Sequence, residues 1–454
     1  MGIKSVIIFG AGEFGQLIYH LLINDGFYVK YFIDDNKDLH ETFLFGKKIF
    51  SRKIISTDLK KSDLIIVAIR SRNENKLQLL EIKKWLLNFH ENFFFLPDFK
   101  FFLKKGLSLK ESLPKDYDIF LNRNTHLSSY PKQEKFFFNK TILITGAAGS
   151  IGSQLLSHIE RFDTKKIIGI DKNEEGIFWL KMKSKKSELK LIDCKFYQDL
   201  KAIFEKNQID IVINAAAYKH VPLFEENLES CWNNNLSIVE NLSKLSNEYG
   251  VKNFLQVSSD KAVNPTNAMG ASKRVAELYL LSIFKKKKCN LTITRFGNVL
   301  GSSGSVIKIF EKQIEDDNPI TVTDSEITRY FMSINEAVVL LSESMIYTKS
   351  QGLFVLNMGE PVKIIDLAKE FLISKNIKPK IGENIIITGL REGEKMFEEI
   401  LLPDELKISS ENDKIFIVEN LDIENDFLKK YNDFKNTPVT KQNINKLIKE
   451  YYYE

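Results

Sequence analysis

Apolar residues along this chain come in short β-branched bursts separated by helix-length amphipathic stretches, and twice such a burst runs into a glycine-rich turn. The first case is SVIIFGAGEFGQLIYHLL at 5–22, where a strand-like run meets Gly10, Gly12 and Gly15 and then helical spacing. Nineteen residues after Gly15, VKYFIDDN places Asp34 at the end of a second strand-like run, and DLIIVAIRS at 63–71 predicts a third. A small α/β domain over 1–105 follows. Between 106 and 138 the periodicity is lost among Pro114, Pro131, Asn, Ser and mixed charge, which predicts an irregular connector. The second case is KTILITGAAGSIGSQLLSHI at 140–159, with strand signals recurring at 166–171, 210–217, 253–260 and 291–297. That rhythm predicts a doubly wound parallel sheet. The fold class expected is therefore α/β, two Rossmann-like domains in series, the second spanning 139–415 and ending in a loop-rich substrate-binding lobe. A tail at 416–454 reads as charged surface helices.

Composition narrows the function classes. Among 454 residues, 65 Lys and Arg face 60 Asp and Glu, too even a balance for a nucleic-acid footprint. Cys194, Cys231 and Cys289 are widely spaced and match no zinc pattern, so no metal and free thiols in a reducing compartment are expected. The longest apolar run, Leu64 to Ile69, is about a third of a membrane span, and no secretory signal opens the chain. A soluble, cytoplasmic protein is the expectation.

Chemistry concentrates in the second domain. In TGAAGSIG the residues Gly146, Ala148, Gly149, Ser150, Ile151 and Gly152 let a backbone approach a pyrophosphate at a helix N-terminus. Asp171, nineteen residues past Gly152, is placed to accept ribose hydroxyls and to repel a 2′-phosphate, so NAD is expected rather than NADP. Asp193 joins the candidate cofactor contacts. Ala215, Ala216 and Ala217 close the strand of DIVINAAAYKHVP with small side chains where bulk would block a cofactor. Lys219 and His220 project from the loop that follows, as substrate contacts or, for the histidine, as a satisfied structural residue. SSDKAVNPTNAMGASKRVAELY, 258–279, carries Ser259, Asp260 and Lys261 and then a helix placing Met269 and Lys273 on one face. Lys273 is expected to hold the nicotinamide ribose. Asp260 and Lys261 form either an acid and base pair, for which burial must bring their pKa values toward neutrality, or an ordinary turn ion pair. The first glycine turn has the same parts without a catalytic set, and reads as a nucleotide site or a structural remnant.

Those motifs, with RFGNVLGSSGSVI, TRYFM, LFVLNMGEPVKIIDLA and GLREGEKMFEE in order, resemble the bacterial UDP-N-acetylglucosamine 4,6-dehydratases of the extended short-chain dehydrogenase superfamily. The resemblance covers 139 to about 410. It implies Asp260 as acid toward the C6 hydroxyl, Lys261 as base at C5, Ser259 and Lys273 as remnants of the usual triad, and Asn235 as a structural asparagine. Its larger members carry methionine where the triad has tyrosine, so Met269 implies retention of configuration at C5; the C5-inverting relatives and the 4-epimerases use the tyrosine. By the same resemblance Asn298, Ser305 and Val306 wrap the sugar nucleotide, Arg391 and Glu394 meet its uridine diphosphate end, and Arg329 joins that pocket. A UDP-N-acetylglucosamine substrate, a role in surface glycan synthesis and a homo-oligomer paired through helices near 232–248 and 268–285 are implied as well. Larger members also begin with membrane spans, so a soluble part of an inner-membrane protein is a second expectation. The alternatives are a C5-inverting 4,6-dehydratase or a nucleotide-sugar 4-epimerase and, prompted by Met269 alone, a non-catalytic NAD-binding protein. Without tyrosine the C4 hydroxyl proton needs another acceptor: Asp260 directly, Ser259 as relay, or a water activated by Lys273. Asp260 is expected, since taking that proton loads it for donation at C6.

Overall fold

The computed structural model describes residues 5–24, 27–55, 63–69, 81–82, 84–86, 93–95, 130–184, 186–285, 287–374, 377, 379–419 and 425–448. The chain divides into two compact units, Met1–Asp116 with Lys369–Lys380, and Tyr117–Ala368 with Ile381–Glu454.

In the first unit, strands β1 (Ser5–Phe9), β2 (Val29–Ile33), β3 (Phe43–Leu44), β4 (Lys47–Phe50), β5 (Asp63–Val67) and β6 (Phe93–Phe95) form one sheet in the order β3-β4-β2-β1-β5-β6. All pairings are parallel except β3 with β4. Helix α1 (Glu13–Asn24) follows the first glycine turn.

The second unit is built on β7 (Thr141–Thr145), β8 (Lys166–Asp171), β9 (Ser187–Leu191), β10 (Ile211–Asn214), β11 (Asn253–Val257), β12 (Asn290–Arg295), β13 (Gln351–Leu356), β14 (Leu406–Ser409) and β15 (Ile415–Glu419), in the order β14-β15-β13-β12-β11-β10-β7-β8-β9. The seven strands from β13 to β9 run parallel. Their side chains alternate between two cores: Ile142, Ile144, Ile211 and Ile213 enter one, Leu143, Val212 and Phe254 the other. This is why these strands read as unbroken apolar runs, since both faces are covered. The connecting helices include α3 (Ser150–Ile159), α4 (Glu174–Lys183), α5 (Leu228–Glu248), α6 (Ala268–Ile283) and α7 (Ile334–Tyr347), and α2 (Tyr130–Phe137) precedes β7. Beyond β12 the lobe is held by short pairings, Asn298–Val299 with Phe331–Met332, Ile320–Val322 with Ile385–Ile387, and Thr328–Arg329 with Val362–Lys363.

Two expectations need correction. The carboxyl end of the connector is helical: in α2, Phe137 stacks on Phe162 at 5.5 Å and Gln133 bonds the His158 ring at 2.6 Å. Tertiary docking decides this helix, because Pro131 and the charges around it give no apolar period; residues 106–129 lie outside the described residues. The tail is more than a set of charged surface helices. Its first part is β15, antiparallel to β13, and α8 (Phe427–Phe434) and α9 (Lys441–Leu447) bury Phe427, Tyr431, Phe434, Ile444 and Leu447 against Trp232, Val275 and Leu278. Tyr431 also donates to Glu240 at 2.8 Å. These two helices pack on one side of α5 and α6.

Burial holds His158 neutral, its pKa lowered to about 4. A histidine depressed in the fold binds its proton more readily when unfolded, so stability is full above about 6.5 and falls as pH drops toward 4, by up to about 3 kcal/mol. Denaturant titrations at pH 7 and pH 5 are expected to show a larger loss for the native chain than for His158→Gln.

Candidate active site

The carboxyl ends of the parallel strands open onto a cavity of about 790 Å³. Parallel strands put their free rim there, and the βα turns supply its side chains. On one side Gly146 turns with φ +65°, and a Cβ on it would stand 2.7 Å from the Ala215 carbonyl at the end of β10. A Cβ on Gly152 would come within 2.0 Å of the Gly146 carbonyl, so the turn folds this tightly only with glycine. Asp171 accepts from the Ala148 N–H at 3.0 Å and the Asn173 N–H at 2.9 Å. The first unit repeats the device: Asp34 accepts from Ala11 N–H at 2.7 Å and Asn36 N–H at 2.8 Å, and a Cβ on Gly15 would meet the Gly10 carbonyl at 1.8 Å. A smaller cavity of about 300 Å³ lies there.

Gly149, Ser150, Ile151 and Gly152 line the large cavity, with Ala215, Ala217, Lys219 and His220 after β10. Ser259, Lys261, Met269 and Lys273 line it from the stretch after β11, and Asn298, Ser305, Val306, Arg329, Arg391 and Glu394 from the lobe. Ala148, Asp171, Asp193, Ala216 and Asp260 do not reach the lining. Asp193 accepts from the Lys195 N–H. The Ser303 N–H donates to Ser150 Oγ at 2.9 Å, joining the lobe loop to the glycine turn. Asn235 exchanges bonds with the Tyr218 backbone and donates to Ser272, next to Lys273; Ile238 and Val239 beside it are simply core.

Asp260 is 1% exposed. Its Oδ1 accepts from Ser259 Oγ at 2.8 Å, from Lys261 N at 2.9 Å and from Lys261 Nζ at 3.1 Å. Its Oδ2 is buried without a hydrogen-bond partner among the described residues, and a Cβ on Gly297 would sit 3.0 Å from it. Lys261 Nζ also reaches Asn298 Oδ1 at 3.4 Å and lies 3.7 Å from Glu398 Oε1. Here the expectation of a lysine moved toward neutrality is corrected. Burial does pull the Lys261 ammonium down, but Asp260 and Glu398 together outweigh it and hold the group above the ordinary lysine value. Lys273 is the lysine that moves the expected way, lowered by burial to about 8 although Glu277 opposes the shift; its Nζ donates to the Val257 carbonyl at 3.3 Å. Burial, with Lys261 nearby, lowers Lys219, and burial with Lys219 lowers His220. Met269 is 3% exposed, packed into the apolar cluster of Phe224, Cys231 and Trp232 with one edge on the cavity.

Two groups escaped the sequence reading. Glu398, its side chain 5% exposed, lies between Lys261 and Arg329, 3.6 Å from Arg329 Nε. It stands inside GLREGEKMFEE, but its pairing with a residue 137 positions earlier has no local signal. The other is a buried cluster: Arg295 donates to Glu277 and Glu405, and Glu277 also accepts from Ser258 Oγ at 2.6 Å. Charged letters inside RFGNV and KRVAELY were its only trace.

The family described as polysaccharide biosynthesis protein matches residues 142–420. The chain is 34% identical over 434 residues to the probable polysaccharide biosynthesis protein EpsC of Bacillus subtilis (strain 168), covering 92% of this chain and 72% of that one. It is 30% identical over 302 residues to a UDP-N-acetylglucosamine 4,6-dehydratase (inverting) of Campylobacter jejuni subsp. jejuni serotype O:2, covering 64% and 87%. Among solved structures, Pen from Bacillus thuringiensis matches with a TM-score of 0.57 and 30% identity, over 64% of this chain and 90% of that one.

The burial of Lys273 is open to direct measurement. After reductive ¹³C-methylation, one dimethyl-lysine resonance, absent from Lys273→Arg, is expected to titrate near pH 8, well below the bulk of the lysines.

Proposed function

The chain belongs to the polysaccharide biosynthesis protein family, and within it we propose a NAD-dependent nucleotide-sugar 4,6-dehydratase that converts UDP-N-acetylglucosamine to UDP-4-keto-6-deoxy-N-acetylglucosamine with C5 configuration retained. The observation that carries this reading is the buried Asp260–Lys261 pair beside a cavity edge where Met269 stands in the tyrosine position. The glycine cradle fits a dinucleotide: Gly146 and Gly152 leave no room for a Cβ, and Gly149, Ser150 and the small Ala215 and Ala217 line the space. Lys273 would hold the nicotinamide ribose there and Asp171 would stand on the adenosine side. Bound in that cradle, NAD would supply a hydride acceptor for C4 and a hydride donor for C6. Lys219, Arg329 and Arg391, all on the lining, complement a diphosphate.

The remaining chemistry is proton movement by this chain. Asp260, ionised beside the Lys261 ammonium, takes the C4 hydroxyl proton while C4 becomes a ketone, which acidifies C5–H. Protonating Asp260 removes the chief charge supporting the Lys261 ammonium, so burial then favours neutral Lys261, with Glu398 as the nearest remaining carboxylate for its proton. Neutral Lys261 takes the proton from C5. The C5–H electron pair forms the C5=C6 bond, the C6–O bond breaks, and Asp260 donates its proton to the leaving hydroxyl, releasing water; as hydride adds at C6 the C5=C6 pair takes a proton at C5 from the Lys261 ammonium, which recovers its own from Glu398. One carboxyl group thus serves twice, and a thioether at 269 costs nothing because no step needs a phenol. The same geometry disfavours a 4-epimerase, which needs neither acid at C6 nor base at C5.

Incubation with UDP-N-acetylglucosamine in D₂O without added NAD, followed by NMR, is expected to give the 4-keto-6-deoxy sugar with retained C5 configuration and deuterium at C5; a 4-epimer, an inverted C5 or unchanged substrate would refute the reading. Asp260→Asn is expected to lower turnover by ~10²- to 10⁴-fold and to abolish the near-ultraviolet absorbance of reduced cofactor when substrate is added. If that absorbance still develops, Asp260 is not the acceptor at C4.

A further inference from the structure

Helix α4 is apolar on both sides. Ile177 and Leu180 are buried beneath it, as a surface helix requires, yet Phe178 and Trp179 are each 55% exposed and Met182 is 71% exposed. Single exposed apolar residues are ordinary, but three large ones within five positions of one helix form a face with no partner among the described residues. Phe178 and Met182 are four residues apart and so share a side, and the rings of Phe178 and Trp179 meet edge to face at 5.3 Å. The charges around them are unevenly placed. Lys181, Lys183 and Lys186 are exposed at the carboxyl end, whereas Glu174 and Glu175 lie in the first turn. Glu175 accepts from Trp179 Nε1 at 3.4 Å.

We propose that the carboxyl-terminal half of this face docks on an anionic phospholipid surface, with Phe178, Trp179 and Met182 entering the headgroup boundary and the three lysines meeting lipid phosphates. An apolar tip of aromatic and thioether side chains ringed by lysine is the composition of an interfacial helix, and a basic cluster is drawn to the negative potential of such a membrane. A second copy of the chain is the competing occupant, since antiparallel pairing would set Glu174 and Glu175 against Lys181 and Lys183. The apolar area argues against it: Phe178, Trp179 and Met182, at 55%, 55% and 71% exposed and roughly 200 Å² each, offer about 360 Å², against about 450 Å² of apolar surface within the about 800 Å² that each partner of a stable dimer buries. Shallow membrane insertion needs no such area, because its charge contribution comes from the lysines. The face lies outside the cavity lining, so docking leaves the site free to turn over.

Sedimentation of the full chain with phosphatidylcholine vesicles, with and without phosphatidylglycerol, tests this. Binding is expected only to the anionic vesicles, weakening as salt is raised, with a blue shift of tryptophan emission that Trp179→Phe removes. The variant Phe178→Ser/Trp179→Ser/Met182→Ser is expected to lose binding, and Lys181→Gln/Lys183→Gln/Lys186→Gln to reduce it by roughly 10- to 100-fold, both keeping the native far-ultraviolet circular dichroism and turnover. Equal binding by native chain and variants, no binding to either vesicle, or a dimer in analytical ultracentrifugation that the apolar variant dissolves would each overturn the proposal. Vesicle binding, tryptophan emission, circular dichroism and sedimentation do not depend on which sugar the cavity accepts, so a failed dehydratase assay leaves the test intact.

Discussion

Arg295 is held between two carboxylates in a place water does not reach, and four site-bearing segments meet on it. It stands at the end of β12, just before the Gly297–Asn298 loop. Glu277, which it grips through Nε at 2.8 Å and the adjacent nitrogen at 2.6 Å, lies on α6 one turn beyond Lys273. Glu405, at 2.7 Å, anchors the segment that follows Glu398. Ser258, bonded to Glu277, is the residue before Ser259, Asp260 and Lys261. Burial alone would raise the Glu277 carboxyl, but Arg295 and Arg274 hold it ionised, below the ordinary carboxylate range. A buried cluster of this kind gains little net stability over apolar packing, yet removing one member strands a charge at a cost of about 3–5 kcal/mol. Its value is geometric: strand end, helix, loop and lobe are fixed to one another by directional bonds.

On that frame the electrostatics of the site divide by partner. Lys261 and Lys273 are both drawn down by burial, but only Lys261 has two carboxylates close enough to reverse the effect. The charge on Lys261 therefore rests on the carboxylates beside it, Asp260 first and Glu398 second. Met269 fits the same logic. Its side chain is packed into the apolar cluster that α8 and α9 complete, so the carboxyl-terminal helices back the very helix that carries Lys273.

Much of the fold was legible because its signals are local. Both glycine turns announced themselves by spacing, and parallel strands buried on two faces leave unbroken apolar runs that survive any register. The stripe Phe427, Tyr431 and Phe434 was also visible at helical spacing, but surrounding charge made it read as a surface helix; only a partner face on α5 and α6 reveals it as core. Helix α2 left no pattern, since it is held by Gln133 and Phe137 meeting residues beyond β7.

Residue types and their spacing already set out the groups available: a dinucleotide turn with its distal aspartate, an adjacent aspartate and lysine, a lysine one turn past a methionine, and a lobe rich in cations. Residue type and short-range spacing suffice for that, because a turn or one helical turn brings those groups together whatever surrounds them. Tertiary structure decided the rest of their electrostatics. Asp260, which chiefly supports the Lys261 charge, is its chain neighbour, but the burial that opposes that charge and Glu398, which adds to it, come only from the fold; whether Lys273 is lowered depends on how deeply α6 is buried, and how α5 and α6 are covered depends on the tail. Those are distances between residues far apart in the chain, and charge interactions in a buried site are set by distance.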